Sequence, residues 1–182
     1  MDEAEYQNAR NLAWFLAGGG VPTPIPTAWR IDGAIYMDTT LRVSAFCEAE
    51  AGYSHIRTKF PISAPGIAVK VGAEAVNRAN RRRAQRKAAQ QWRDLGPHRV
   101  VVTNHALHMQ QIQRSASLDA GIRFDQMHRV SIDPLRGMAY IESLGVPMAL
   151  VGCGALYAGI LIGYFFYDRD LRAVPGLQAV LV

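Results

Sequence analysis

The sequence predicts an α+β domain, from three observations. Strand-like alternation of apolar and polar residues fills two blocks, Trp29 to Phe60 and Arg99 to Leu144. Helix-like patterns flank or separate those blocks, at 3–17, at about 66–95 and towards the C-terminus. The chain has 182 residues, 49% hydrophobic and 19% charged, enough to bury a core without disulfides or metal.

Residues 3–17 are helical by composition, with Leu12, Trp14, Phe15 and Leu16 crowding the end and Gly18-Gly19-Gly20 stopping it. Pro22, Pro24 and Pro26 each lack a backbone donor, so 18–28 is a linker. Trp29-Arg30-Ile31, a turn at Asp32-Gly33 and Ala34 to Met37 read as a hairpin-like unit. Leu41, Val43, Ala45 and Cys47 alternate with Arg42, Ser44 and Phe46, and Tyr53 to Phe60 alternates more weakly. Ser63 and Pro65 are a cap residue and a first-turn proline for a long helix. Val69, Ala73, Val76, Ala84, Ala88, Trp92 and Leu95 carry that helix to Gly96-Pro97. Strands are then expected at Arg99–Val102, Ala106–Met109, Gly121–Asp133 and Met138–Leu144, with a turn between Asp133 and Gly137.

Val146 to Tyr167 carries no charge and is long enough to cross a bilayer, which takes roughly 20 apolar residues. Pro147 and Gly152 to Gly154 make its first third a poor helix, so a buried strand end followed by a fully buried helix fits the same pattern. Asp2, Glu3 and Glu5 are the reverse of the basic start a secretory leader needs. The two cysteines, Cys47 and Cys153, are too few for a disulfide scaffold, and a reducing cytoplasm is the simpler expectation.

Charge is concentrated. Seven basic residues lie between Arg78 and Arg93 with no acidic residue among them, and without them the net charge of +5 becomes −2. A patch of that kind suits anionic lipid, nucleic acid or an acidic protein. Helix-turn-helix spacing, finger-type cysteine pairs and an RRM-like aromatic strand are all missing, which disfavours nucleic acid. His105 and His108 would face opposite sides of a strand, with no cysteine or carboxylate at ligand spacing, so no metal or cofactor is expected. There is no Gly-x-Ser-x-Gly elbow or phosphate-cradling glycine loop. Asp125, Asp133 and Cys47 read as turn, edge and buried residues, so no catalytic residue is assigned.

Trp29-Arg30, the Asn/Arg-rich stretch Asn77 to Lys87, Trp92-Arg93, Val100-Val101-Val102-Thr103-Asn104, Ile122-x-Phe124-Asp125-x-Met127-x-x-Val130, Val146-Pro147 and Leu171 to Leu177 carry a resemblance. Together they resemble the bacterial pleckstrin-homology-like (PH-like, GRAM-like) domains, in particular an uncharacterised actinobacterial and actinophage group. The resemblance covers roughly 29–182. PH-like proteins commonly carry a basic residue two positions after the Thr-Asn pair, where this chain has Ala106. It implies a partly open antiparallel β-barrel capped by a C-terminal helix. Leu150, Leu156, Ile160, Ile162, Phe165 and Phe166 become the plug, and the long basic helix at about 66–95 is inserted between strand groups. Residues 1–28 become an N-terminal helix and linker.

The resulting expectation is a non-enzymatic adaptor of the cytoplasm, peripheral at the inner membrane face or bound to an acidic protein. Its contact residues are Arg78, Arg81, Arg82, Arg83, Arg86 and Lys87, which meet phosphates. Trp14 and Phe15, beside a Gly/Pro linker, are candidate partner contacts. The alternatives are a small integral membrane protein spanning at 146–167 and a nucleic-acid-binding protein using the basic helix.

Overall fold

A computed structural model describes residues 3–26, 31–47, 90–112, 120–152 and 154–181. By compactness the chain divides into one unit, Met1–Phe46 with Trp92–Val182, and a second, Cys47–Gln91. Tyr53–Phe60, the Ser63/Pro65 start and residues 66–89 of the expected helix lie outside the described residues.

The first unit opens with α1 (Glu3–Ala17), bounded as its composition predicts. Seven strands follow: β1 (Ile35–Cys47), β2 (Gln91–Thr103), β3 (Ala106–Gln111), β4 (Ala120–Arg123), β5 (Met127–Asp133), β6 (Met138–Ser143) and β7 (Met148–Val151). Then come α2 (Ala155–Phe166) and a short α3 (Gln178–Leu181). The strands form one sheet in the order β4-β3-β2-β1-β7-β6-β5. β4 with β3, β3 with β2, β1 with β7, β7 with β6 and β6 with β5 all pair antiparallel. Ties from Ala34 to Asn104, Asp38 to Arg99 and Arg42 to Asp94 run β1 and β2 antiparallel as well.

Two sequence expectations change here. Ala34–Met37 leads into one continuous strand, Ile35 to Cys47, joining two segments read separately, while Trp29-Arg30 of the expected hairpin lies outside the described residues. Residues 91–95 extend β2 and do not end a helix. Their helix-favouring neighbours are local, but their partners are not: Trp92 lies against Phe46 and Asp94 pairs with Arg42, both on β1. Gly96, at φ 84°, lies inside that continuous strand where a helix stop is expected.

The expected Gly121–Asp133 strand is also divided. A 3-10 turn, Phe124–Gln126, joins β4 to β5, which are opposite edges of the sheet. In a flat sheet those edges would stand about 29 Å apart, at about 4.8 Å per strand. The chain from Arg123 to Met127 reaches at most about 14 Å. The sheet must therefore curl back on itself, into a partly open barrel. Phe124 N donates to His105 O (2.8 Å) and Leu144 N to Gln126 O (3.0 Å), fixing the corner.

The core fills the concave side. Leu41, Val43, Val100, Val102, Leu107, Val130, Ile141 and Leu150 are buried there. α2 packs on β5, β6 and β7, and α1 packs on α2. A helix covered from both sides must be apolar all round, and its residues from Ala155 to Tyr164 are buried except half-buried Tyr157. This explains the uncharged 146–167 run and corrects its spanning alternative. It contains a four-residue strand and a 12-residue helix. That helix is about 18 Å long, against a hydrocarbon core of about 30 Å. No helix among the described residues is long and apolar enough to cross a membrane. Of the expected plug residues, Leu150 belongs to β7, Leu156, Ile160 and Ile162 are buried on α2, and Phe165 and Phe166 are half-buried against the same core.

The edge of β5 is covered by the chain's end: Ile132 N donates to Pro175 O at 2.9 Å.

Candidate functional site

Arg78, Arg81, Arg82, Arg83, Arg86 and Lys87 lie outside the described residues. Their chain context is defined. Residues 48–90 join β1 to β2, which are neighbours in the sheet. That connection holds nine basic and three acidic residues, net +6, leaving −1 for the rest of a +5 chain. Strand neighbours need only a short turn, so a 43-residue connection is longer than the pairing of β1 with β2 requires.

The strand ends that emit this connection carry exposed apolar groups. Trp92 is 47% exposed, with Phe46 at a ring separation of 5.7 Å and Tyr140 at 5.8 Å. Phe46 N donates to Pro147 O at 2.9 Å, which ties the β6–β7 turn to the end of β1. On that turn Leu144 is 73% and Val146 43% exposed. Behind it lies a cleft of about 400 Å³ lined by Met109, Ile122, Gln126, Leu144, Val146 and Met148.

The Thr103-Asn104 turn is built for structure. Thr103, fully buried, donates through Oγ1 to Ala106 O (3.1 Å) and accepts from Ala106 N (3.0 Å). Asn104 accepts from Ala34 N through Oδ1 (3.1 Å) and donates its own N–H to Ala34 O (3.2 Å). The β2–β3 turn is thus fastened to the start of β1. Gly33, at φ 92°, faces Asn104 and His105 so closely that a β-carbon would collide with both side chains.

His105 sits in that turn, with Nε2 3.6 Å from the Asp32 carboxylate. His108 lies on β3, and its Nε2 is buried with no hydrogen-bond partner among the described residues. Burial, and then the charge on His105, lower the His108 pKa, while Asp32 opposes them. The folded state thus favours the neutral ring. Its stability contribution is complete above the usual histidine value of 6.5 and is lost as pH falls through the lower folded value. H108L should narrow the difference in urea midpoint between pH 7.5 and pH 5. An unchanged difference would show that His108 is not the titrating group.

Other charged groups pair between strands or at turns. Arg99 donates to Asp38 through Nε (2.7 Å) and Nη2, a two-bonded pair across β1 and β2. The Arg42 guanidinium and then the Gly96 N–H hold the Asp94 carboxyl below the usual carboxylate range. Asp125 pairs with Arg123, and Asp133 accepts from Arg136 N at 3.1 Å, both at turns as expected. Cys47 is half-buried, less enclosed than its alternating pattern predicts, and forms no disulfide among the described residues. Among the described residues no three histidine, cysteine or acidic side chains are grouped to hold a metal.

Trp14 and Phe15 are exposed, at 52% and 54%, on the side of α1 away from its buried Ala9, Leu12, Ala13 and Leu16. The exposed β6–β7 turn is the feature that reading the sequence misses. Its only signal is a pair of apolar residues beside Gly145 and Pro147, at a strand end where polar turn residues are usual. In comparison with known proteins, the chain matches no family model and no curated protein.

Proposed function

We propose that the chain is a non-enzymatic PH-like adaptor that associates peripherally with an anionic membrane surface through the basic segment between β1 and β2. The strand order, the corner at Phe124–Gln126 and a buried C-terminal helix support the PH-like reading. The observation that carries the membrane reading is the concentration of charge: +6 on one long connection and −1 on everything else. Because β1 and β2 pair directly, the sheet does not need that segment's length to close. Basic residues near an anionic leaflet contribute about 1 kcal/mol each. R81A/R82A/R83A should therefore weaken flotation with phosphatidylserine vesicles by about a hundredfold, taking roughly 3 kcal/mol from the three side chains. Binding should also fall steeply between low and moderate salt. If the unsubstituted chain stays off anionic vesicles at low salt, or the triple variant binds equally well, the membrane role is wrong. Retention on an acidic protein but not on vesicles would then point to a protein partner.

A further inference from the structure

We infer that the β6–β7 turn is a membrane-inserting element, with Leu144 and Val146 entering the acyl-chain boundary of the bilayer. This inference rests on the peripheral membrane reading above and adds a second, apolar contact to it.

Four observations lead there. The turn from Ser143 to Met148 carries no charge, and its apolar side chains face water: Leu144 is 73% and Val146 43% exposed. It is held rigidly, by Leu144 N to Gln126 O (3.0 Å) on one side and Phe46 N to Pro147 O (2.9 Å) on the other. Its exposed groups continue towards Trp92, which meets Phe46, giving an aromatic ring of the kind that settles at head-group depth. The fourth is charge. In sequence the +6 connection runs between Phe46, whose N–H is bonded to Pro147 O of this turn, and Trp92, whose ring meets Phe46. An anionic bilayer is the partner that rewards both halves: phosphates for the arginines, hydrocarbon for the turn. Membrane binding that endures generally takes two such signals together. An acidic protein groove would match the charge but gives no reason for an uncharged turn with exposed aliphatic side chains.

The test uses the full chain. L144S/V146S, checked for an unchanged circular dichroism spectrum, is compared with the unsubstituted protein and R81A/R82A/R83A on phosphatidylserine-containing vesicles. The serine pair should weaken partition by about tenfold or more, as expected for two partly buried aliphatic side chains. The residual loss should persist at high salt, where the arginine contribution is screened. In a second measurement, L144C carrying an environment-sensitive fluorophore in a C47S/C153S background should shift its emission to the blue and be quenched by brominated acyl chains. If the arginine variant loses binding while L144S/V146S binds normally and the label at 144 is not quenched, insertion is refuted and the electrostatic role stands. If the unsubstituted chain does not bind at all, both fall.

Discussion

A13D should cost about 4 kcal/mol of stability and lower the melting temperature by about 8–16 °C, at about 2–4 °C per kcal/mol for a chain of this size. Ala13 is fully buried on α1, between Leu12 and Leu16, where α1 packs on α2. An aspartate there has no partner among the buried residues of the helix. Keeping it buried as a charge would cost several kcal/mol, so α1 would instead come away. Leu12 and Leu16 would then lose their burial, worth about 1.5–3 kcal/mol each. The outer side of α2 would be left in water, which should also raise aggregation. W14A/F15A, on the exposed side of the same helix, should leave the melting temperature nearly unchanged. Thermal denaturation of the two variants decides the matter. If A13D melts with the unsubstituted protein, α1 is a detachable arm and not part of the core.

Much of the frame can be read in advance because its signals are local. The Gly18–Gly20 run ends α1 where expected, and the β-branched Val100–Val102 run and Met138–Ser143 are strands as expected. The failures share a cause, which is that the deciding partners are distant in sequence. Alanine, glutamine and arginine before Trp92 argue for helix, yet Phe46 and Arg42 draw 91–95 into the sheet. Ile122 and Val130 fit one alternating pattern, and only the closure of the sheet requires Phe124–Gln126 to break it. The 146–167 run stays ambiguous by pattern because a helix buried in protein and one buried in lipid are equally apolar. Gly152 at φ 103° and Gly154 at φ 85° mark the break between its strand and its helix. At the candidate site the arginine run is plain from composition. That it lies in the connection between two strands that pair with each other depends on sheet order, which no local pattern encodes. Leu144 and Val146 escape a sequence reading for a similar reason, since an apolar residue is expected inside until a structure leaves it outside.

G176A should lose about 3 kcal/mol, although it adds a single methyl group. Gly176 adopts φ 86°, a left-handed conformation that costs a residue with a side chain about 1–2 kcal/mol. A β-carbon there would also collide with the Ile132 carbonyl oxygen, which is backbone and has no side-chain rotation to escape by. Relieving that collision moves the chain away from β5 and lengthens the bond from Ile132 N to Pro175 O, worth about 1 kcal/mol. Val174 and Leu177, both fully buried on either side, would have to follow. The consequence reaches beyond the C-terminus, because this segment covers the outer edge of β5 and supports α2 through Val174, which lies against Gly163. Opening it exposes a sheet edge to other chains, so the variant should also aggregate at lower temperature. G145A is the matched comparison. Gly145 has no left-handed backbone requirement, and its added carbon would meet only Ser143 Oγ at 3.9 Å. It should stay within about 0.5 kcal/mol of the unsubstituted protein. Equal urea midpoints for G176A and G145A would mean that the C-terminal segment does not clamp the edge of the barrel.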